Sequence, residues 1–303
     1  MTQPHETYHA PVLLQECIDA LAIRPDGVYV DVTFGGGGHS AAILEKLGPE
    51  GALVAFDRDA DARNNAPDDA RFTLVQSDFR WIANHLRYLG KLPVDGLLAD
   101  LGVSSHQFDT ADRGFSFRFD APLDMRMDQR AQRTAADLLN SLDERALTEL
   151  LRTYGEVENA HKAARALVDA RGRKAIETTK ELADILRPLS RRGEEHSYLA
   201  QVFQALRIAV NDELGSLERL LLESARVIKP GGRLVVMSYH SLEDRLVKDW
   251  MRSGDLHGEE KKDLFGRSER PFKPVGKAVK SSPVEQAKNP RARSARLRIA
   301  ERL

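Results

Sequence analysis

A chain of 303 residues, 42% of them hydrophobic, has room for one large domain or two small ones with a real core. No apolar run approaches the ~20 residues of a membrane span, and the first residues lack the basic and apolar regions of a signal peptide, so neither a membrane anchor nor secretion is expected. The net charge of −1 provides no global field for nucleic acid, and a single cysteine, Cys17, excludes an internal disulfide and suits a reducing cytoplasm.

Gln15 to Leu21 reads as a short helix, with Cys17 packed in the core beside Val12, Leu13, Leu14 and Ile18. Val28, Val30 and Val32 then alternate with Tyr29 and Asp31 as a strand. Gly35 to Gly38 follow, and after them a helical stripe of Ile43, Leu44 and Leu47. Strand, glycine loop and helix form the arrangement by which a parallel α/β sheet binds a nucleotide-like cofactor. Glycines let the backbone approach the ligand, and the helix N-terminus offers unpaired N–H groups. From Gly36 to Ala41 the loop fits the relaxed dinucleotide pattern. From Asp31 it also fits the D-x-x-x-G-x-G loop of S-adenosylmethionine (SAM) methyltransferases, with Thr33 in place of the first glycine. NAD and SAM both stay open at this point.

Ala52 to Phe56 is a buried strand ending at Asp57, an acid placed to accept ribose hydroxyls, while Asp59 suits a helix cap. Arg71 to Gln76 is the third strand. Phe79 after it either stacks on an adenine, beside a polar group such as Asp78, or packs in the core. Val94 to Ala99 is the fourth strand. Strands that alternate with helices and end in acids indicate a doubly wound α/β sheet.

Residues 104–133 show no period, yet interleave Phe108, Phe115, Phe117 and Phe119 with Arg113, Arg118 and Arg126. So long an irregular stretch tends to be functional, and aromatics with arginines suit splayed bases; a self-packed loop is the alternative. Helical spacings then occupy Asp137–Leu142, Arg145–Tyr154, Asn159–Arg171 and Thr179–Leu186, an inserted helical domain. Phe203 to Val210 reads as a return to the sheet. Leu214 to Ile228 is an amphipathic helix, and Lys229-Pro-Gly-Gly followed by an apolar strand to Tyr239 matches the fifth strand of SAM methyltransferases. Ser241 and Asp244 can form a capping box. Residues 253–290 read as irregular surface and Ser294–Ala300 as the last strand. Residues 267–303 hold eleven Lys/Arg against three Asp/Glu, a net of +8, which suggests either a polyanion contact or a solvated strand.

Seven ordered blocks carry a resemblance over nearly the whole chain: Asp31–Ser40, Asp100–Ser105, Arg113–Phe117, Pro122–Met127, Phe203–Ile208, Ser241–Arg245 and Asn289–Ser294. Together they closely resemble the ribosomal RNA small-subunit methyltransferase H family, also called MraW. The resemblance implies a Rossmann-like class I SAM methyltransferase (residues 1–110 and 211–303) with an inserted loop and all-helical substrate domain (111–210). It implies a cytoplasmic enzyme that methylates N4 of a cytidine in the decoding centre of 16S rRNA within the small ribosomal subunit. The family's SAM positions fall on Gly37, Gly38, His39, Asp57, Phe79, Asp100 and Gln107. One departure is His196-Ser-Tyr-Leu-Ala-Gln-Val, where many relatives have His-Pro-Ala-Thr.

A cytosine amino group is a poor nucleophile, so an acceptor near its N–H is wanted. Asp100-Leu-Gly-Val-Ser-Ser105 lacks the aromatic clamp of amino-adenine methylases, which leaves Ser104, His240 and His9 as candidates for the cytosine edge. The histidines and the cysteine show no zinc spacing, so no metal is expected. A homodimer stays open. Two rival classes are an NAD-dependent oxidoreductase and a non-catalytic RNA-binding assembly factor.

Overall fold

The computed structural model describes residues 11–260 and 270–303. Contacts divide the chain into two compact units, one running to Gly102 and resuming at Leu214–Leu303, the other Val103–Glu213. Among the described residues no helix is long and apolar enough to cross a membrane.

The first unit begins with α1 (Leu14–Leu21), β1 (Val28–Asp31), α2 (Gly38–Lys46), β2 (Ala52–Asp57), β3 (Phe72–Gln76), α3 (Ile82–Tyr88) and β4 (Val94–Asp100). The second unit holds α4 (Ser105–Asp109), α5 (Ala135–Ser141), α6 (Glu144–Gly155), α7 (Ala160–Arg171), α8 (Thr179–Leu186) and α9 (Glu195–Asn211). The first unit resumes with α10 (Glu213–Val227), which belongs to it from Leu214 onward, then β5 (Ile228–Ser238), α11 (Ser241–Ser253), β6 (Phe272–Pro274), β7 (Val279–Lys280), α12 (Pro283–Lys288) and β8 (Arg296–Arg302).

The sheet order is β3-β2-β1-β4-β5-β8-β6, with β7 also on β8. β1 to β5 are parallel, and β8 runs antiparallel against β5. Parallel strands are covered on both faces, and these are. Val30, Phe56, Leu97 and Val236 pack with Ile82, Leu86, Leu220 and Trp250. Tyr29, Leu53, Leu98 and Val235 pack on the other face with Cys17, Leu21 and Ile43. Chain direction reverses its winding between β1 and β4, so the crevice beyond their carboxyl ends is the topological switch point where such sheets bind ligands.

The second unit closes its own core from Leu139, Leu147, Leu151, Leu167, Leu182, Val202 and Leu206. Its irregular segment is anchored rather than splayed. Phe115 is buried, and Phe108 and Phe117 pack against the core. Arg113 is only 7% exposed and donates to the carbonyls of Arg126 and Met127, while Arg126 is paired with Asp124. Of the gripping residues expected from sequence, Arg118 and Phe119 alone are exposed.

Three expectations need correction. Phe203–Val210 is helix, not strand, because Leu199, Val202, Phe203 and Leu206 form one buried stripe of α9. The N-cap of α11 is His240 without a side-chain bond; Asp244 instead pairs with Arg298, and Glu243 accepts from the Tyr239 N–H. Within 253–290 the described residues include β6, β7 and α12 rather than irregular surface throughout.

Candidate active site

Three acids close three strands: Asp31 ends β1, Asp57 ends β2 and Asp100 ends β4. The register places them along one carboxyl edge, with Asp31 beside Ala55 and Leu98, and Asp100 beside Met237. The glycine loop lies between the first two. Gly35 (φ 50°) and Gly37 (φ 78°) take left-handed backbone that other residues adopt at a cost. A Cβ on Gly37 would stand 3.0 Å from the Phe34 ring, and one on Gly38 would overlap Pro11. The loop is thus a bare cradle, and α2 begins at Gly38 with no side-chain cap on its first N–H groups.

Asp57 is fixed by two backbone donors, Gly35 N–H to Oδ2 and Asp59 N–H to Oδ1, both 2.8 Å. Each oxygen keeps a lone pair for a ligand hydroxyl. Burial raises its carboxyl to about 6, against the pull of these N–H groups. Asp59 caps the following 3-10 turn, as expected. Asp100 accepts the Tyr239 hydroxyl at 2.9 Å, and burial likewise lifts it to about 6. Thr33 Oγ1 accepts the Asp100 N–H at 2.6 Å, and Asp31 receives Ser40 Oγ at 2.7 Å. In the sequence Asp31 and Thr33 stand only as positions of the loop motif, and Tyr239 only as the end of a strand; an acid or phenol closing an apolar strand is the signal for their place in the site.

His39, 6% exposed, has Nδ1 3.8 Å from Asp100 Oδ2 and a buried Nε2 with no hydrogen-bond partner. A buried nitrogen left unpaired is costly, and a polar ligand group would satisfy it. Phe79 follows β3 and packs partly on the core, with the Arg58 guanidinium 5.6 Å over its ring. Asp78 beside it is occupied by Arg58, Arg80 and Ser216, so it has little left for an adenine edge.

His240 follows β5 with a buried ring whose nitrogens make no hydrogen bond; Nε2 stands 3.2 Å from Glu243 Oε1 out of alignment. Ser104 and Gln107 belong to the second unit, where they form the capping box of α4: Gln107 N–H donates to Ser104 Oγ and Ser104 N–H to Gln107 Oε1, both 3.2 Å. His9 lies outside the described residues. The first unit therefore gathers Gly37, Gly38, His39, Asp57, Phe79, Asp100 and His240 around the carboxyl ends of its strands.

A model of the MraW methylase family matches residues 6–303. The chain belongs to that family. Ribosomal RNA small subunit methyltransferase H of Cytophaga hutchinsonii is 56% identical over 297 residues, covering 97% of this chain and 99% of that one. The protein of the same name from Parabacteroides distasonis is 53% identical over 305 residues, covering both chains fully. Among solved structures, a putative rRNA-methylase from Clostridium thermocellum covers 97% of this chain and 98% of its own at 14% identity and a TM-score of 0.45. As an MraW methylase the chain is a SAM-dependent methyltransferase on a Rossmann-like sheet, and the oxidoreductase reading falls. The bare glycine cradle, the orphaned His39 nitrogen and the strand-end acids fit that cofactor.

Proposed function

We propose that this MraW methylase modifies N4 of a cytidine in the decoding centre of 16S rRNA, in the cytoplasm, on the small ribosomal subunit. The observation that carries this reading is full-length identity above 50% to relatives named for small-subunit rRNA methylation. Gly37, Gly38, His39, Asp57, Phe79, Asp100 and Gln107 hold the cofactor, with Asp57 on the ribose hydroxyls.

SAM supplies a methyl group already activated on a sulfonium. The protein's part is then alignment and charge, since a correctly held nucleophile removes much of the barrier. The target base leaves its stack at a cost of a few kcal/mol. His240, Ser104 and His9 are assigned to the cytosine edge. Of these, His240 is best supplied, because its ring nitrogens are buried and unbonded. The imidazole there is placed to accept the amino N–H and take up charge as the methyl bond forms. Transfer of labelled methyl from SAM to small ribosomal subunits tests the proposal, and purified protein that transfers none refutes it.

A further inference from the structure

The basic tail is not uniformly charged once its pairs are drawn. Along β8, Arg298 is held by both oxygens of Asp244 at 2.6 and 3.0 Å. Arg302 donates to the carbonyls of Ala225 and Pro271. On β5, Arg233 pairs with Glu301 of β8 at 2.9 Å. These cations are neutralised or satisfied, and Arg233 and Arg302 lie toward the opposite end of their strands.

At that edge the pattern changes. Arg296 is the first residue of β8 and pairs with Ser238, the last residue of β5. On its other side Arg296 pairs with Lys280 of β7. Two exposed cations therefore sit directly opposite each other, and neither has a carboxylate partner among the described residues. Like charges in that position destabilise a sheet. Exposed Lys288 and Arg293, in the segment leading into β8, add two more cations with no carboxylate partner among the described residues. The one acid close by in sequence, Glu285, is bonded to the Leu13 N–H.

Register also fixes where this strip lies. Asp100 pairs with Met237, whose neighbour Ser238 leads across to Arg296 and then Lys280. At ~4.8 Å between strands, Arg296 and Lys280 stand about 10 and 15 Å along the edge from Asp100. The geometry points to a phosphate-binding strip, Arg296 and Lys280 with Arg293 and Lys288, that holds the RNA backbone flanking the target base. This rests on the RNA substrate proposed above. It adds which residues carry the backbone and why a destabilising pair is kept at the reactive edge. RNA is favoured over an acidic protein surface because the strip shares its edge with the cofactor cradle, where any RNA substrate must pass.

The test is a potassium chloride series on binding of a single-stranded RNA oligonucleotide, followed by fluorescence anisotropy. Each phosphate contact contributes about 0.7 to the slope of log K against log salt on a single strand. Lys280→Ala combined with Arg296→Ala is expected to flatten the slope by about 1.4 and to raise KM for small subunits with kcat kept. Its affinity for S-adenosylhomocysteine stays unchanged, and its Tm does not fall because repulsion is relieved. Arg296→Lys, which keeps the charge, retains the wild-type slope. An unchanged slope in the double variant overturns the strip, including in favour of a protein partner. Wild-type protein that neither binds nor methylates RNA overturns the RNA substrate itself.

Discussion

Tyr239 donates its hydroxyl to Asp100 across the β4–β5 pair, 2.9 Å from phenol oxygen to Oδ1. A hydrogen bond to the ionised carboxyl favours that form, so the phenol holds down a group that burial has already pushed up to about 6. The groups facing Asp100 are His39 from α2, Asp31 from β1, Glu243 from α11 and Tyr239 itself. Tyr239→Phe removes the donor, and the carboxyl rises further. Such a bond is worth about 1.5–3 kcal/mol, so the pH midpoint for S-adenosylhomocysteine binding moves up by one unit or more. Calorimetry between pH 5 and 8 measures it; an unmoved midpoint assigns Tyr239 to packing alone.

Asp57 has a folded carboxyl near 6, above its unfolded value of 3.8. The sign has two consequences. In the ligand-free protein, the raised carboxyl contributes stability that is full below about pH 4 and is lost as pH rises through 6. Cofactor binding runs the other way, because ribose hydroxyls need the ionised acceptor, so affinity falls as pH drops through 6. Asp57→Asn lowers affinity about tenfold or more at pH 7.5 and flattens this part of the profile. A full-affinity Asn variant removes Asp57 from the sugar.

Arg113 and Arg118 separate folding from binding. Arg113 is buried on carbonyls, so Arg113→Ala costs stability, about 2–4 kcal/mol by denaturant titration. Exposed Arg118→Ala leaves stability unchanged and, if it touches phosphate, lowers the RNA salt slope by about 0.7. A stable Arg113→Ala protein contradicts the anchoring described for the irregular segment.

Gly114 ends a 3-10 turn at φ 70°, where a Cβ would overlap Pro122 O and lie 2.7 Å from Asp124 N. Backbone atoms cannot step aside as a side-chain tip can. Gly114→Ala is expected to destabilise the second unit by roughly 2–4 kcal/mol, read as a lower denaturant midpoint.

Much of the first unit is legible in sequence because β1, β2 and β4 are apolar runs, each closed by an acid, and that acid marks the carboxyl edge. The helices of the second unit follow their three-and-four spacing, and α8 spans the expected Thr179–Leu186. Phe203–Val210 misleads because a short apolar run carries both periods, and only the facing helix decides between them. Arg113 misleads for a different reason: in an irregular segment no period tells an inward arginine from an outward one. The Tyr239–Asp100 bond and the Arg296–Lys280 pair join residues far apart in the chain. They become visible only when the sheet order places β4 beside β5 and β8 between β5 and β7.

The most direct measurement is the chemical identity of the product. Small subunits incubated with purified protein and labelled SAM are digested to nucleosides, and the labelled one is identified by mass and chromatography. One methyl per subunit on N4 of cytidine, lost in His240→Ala with cofactor affinity intact, is the predicted result. Label on another atom or another base, or none at all, contradicts the account.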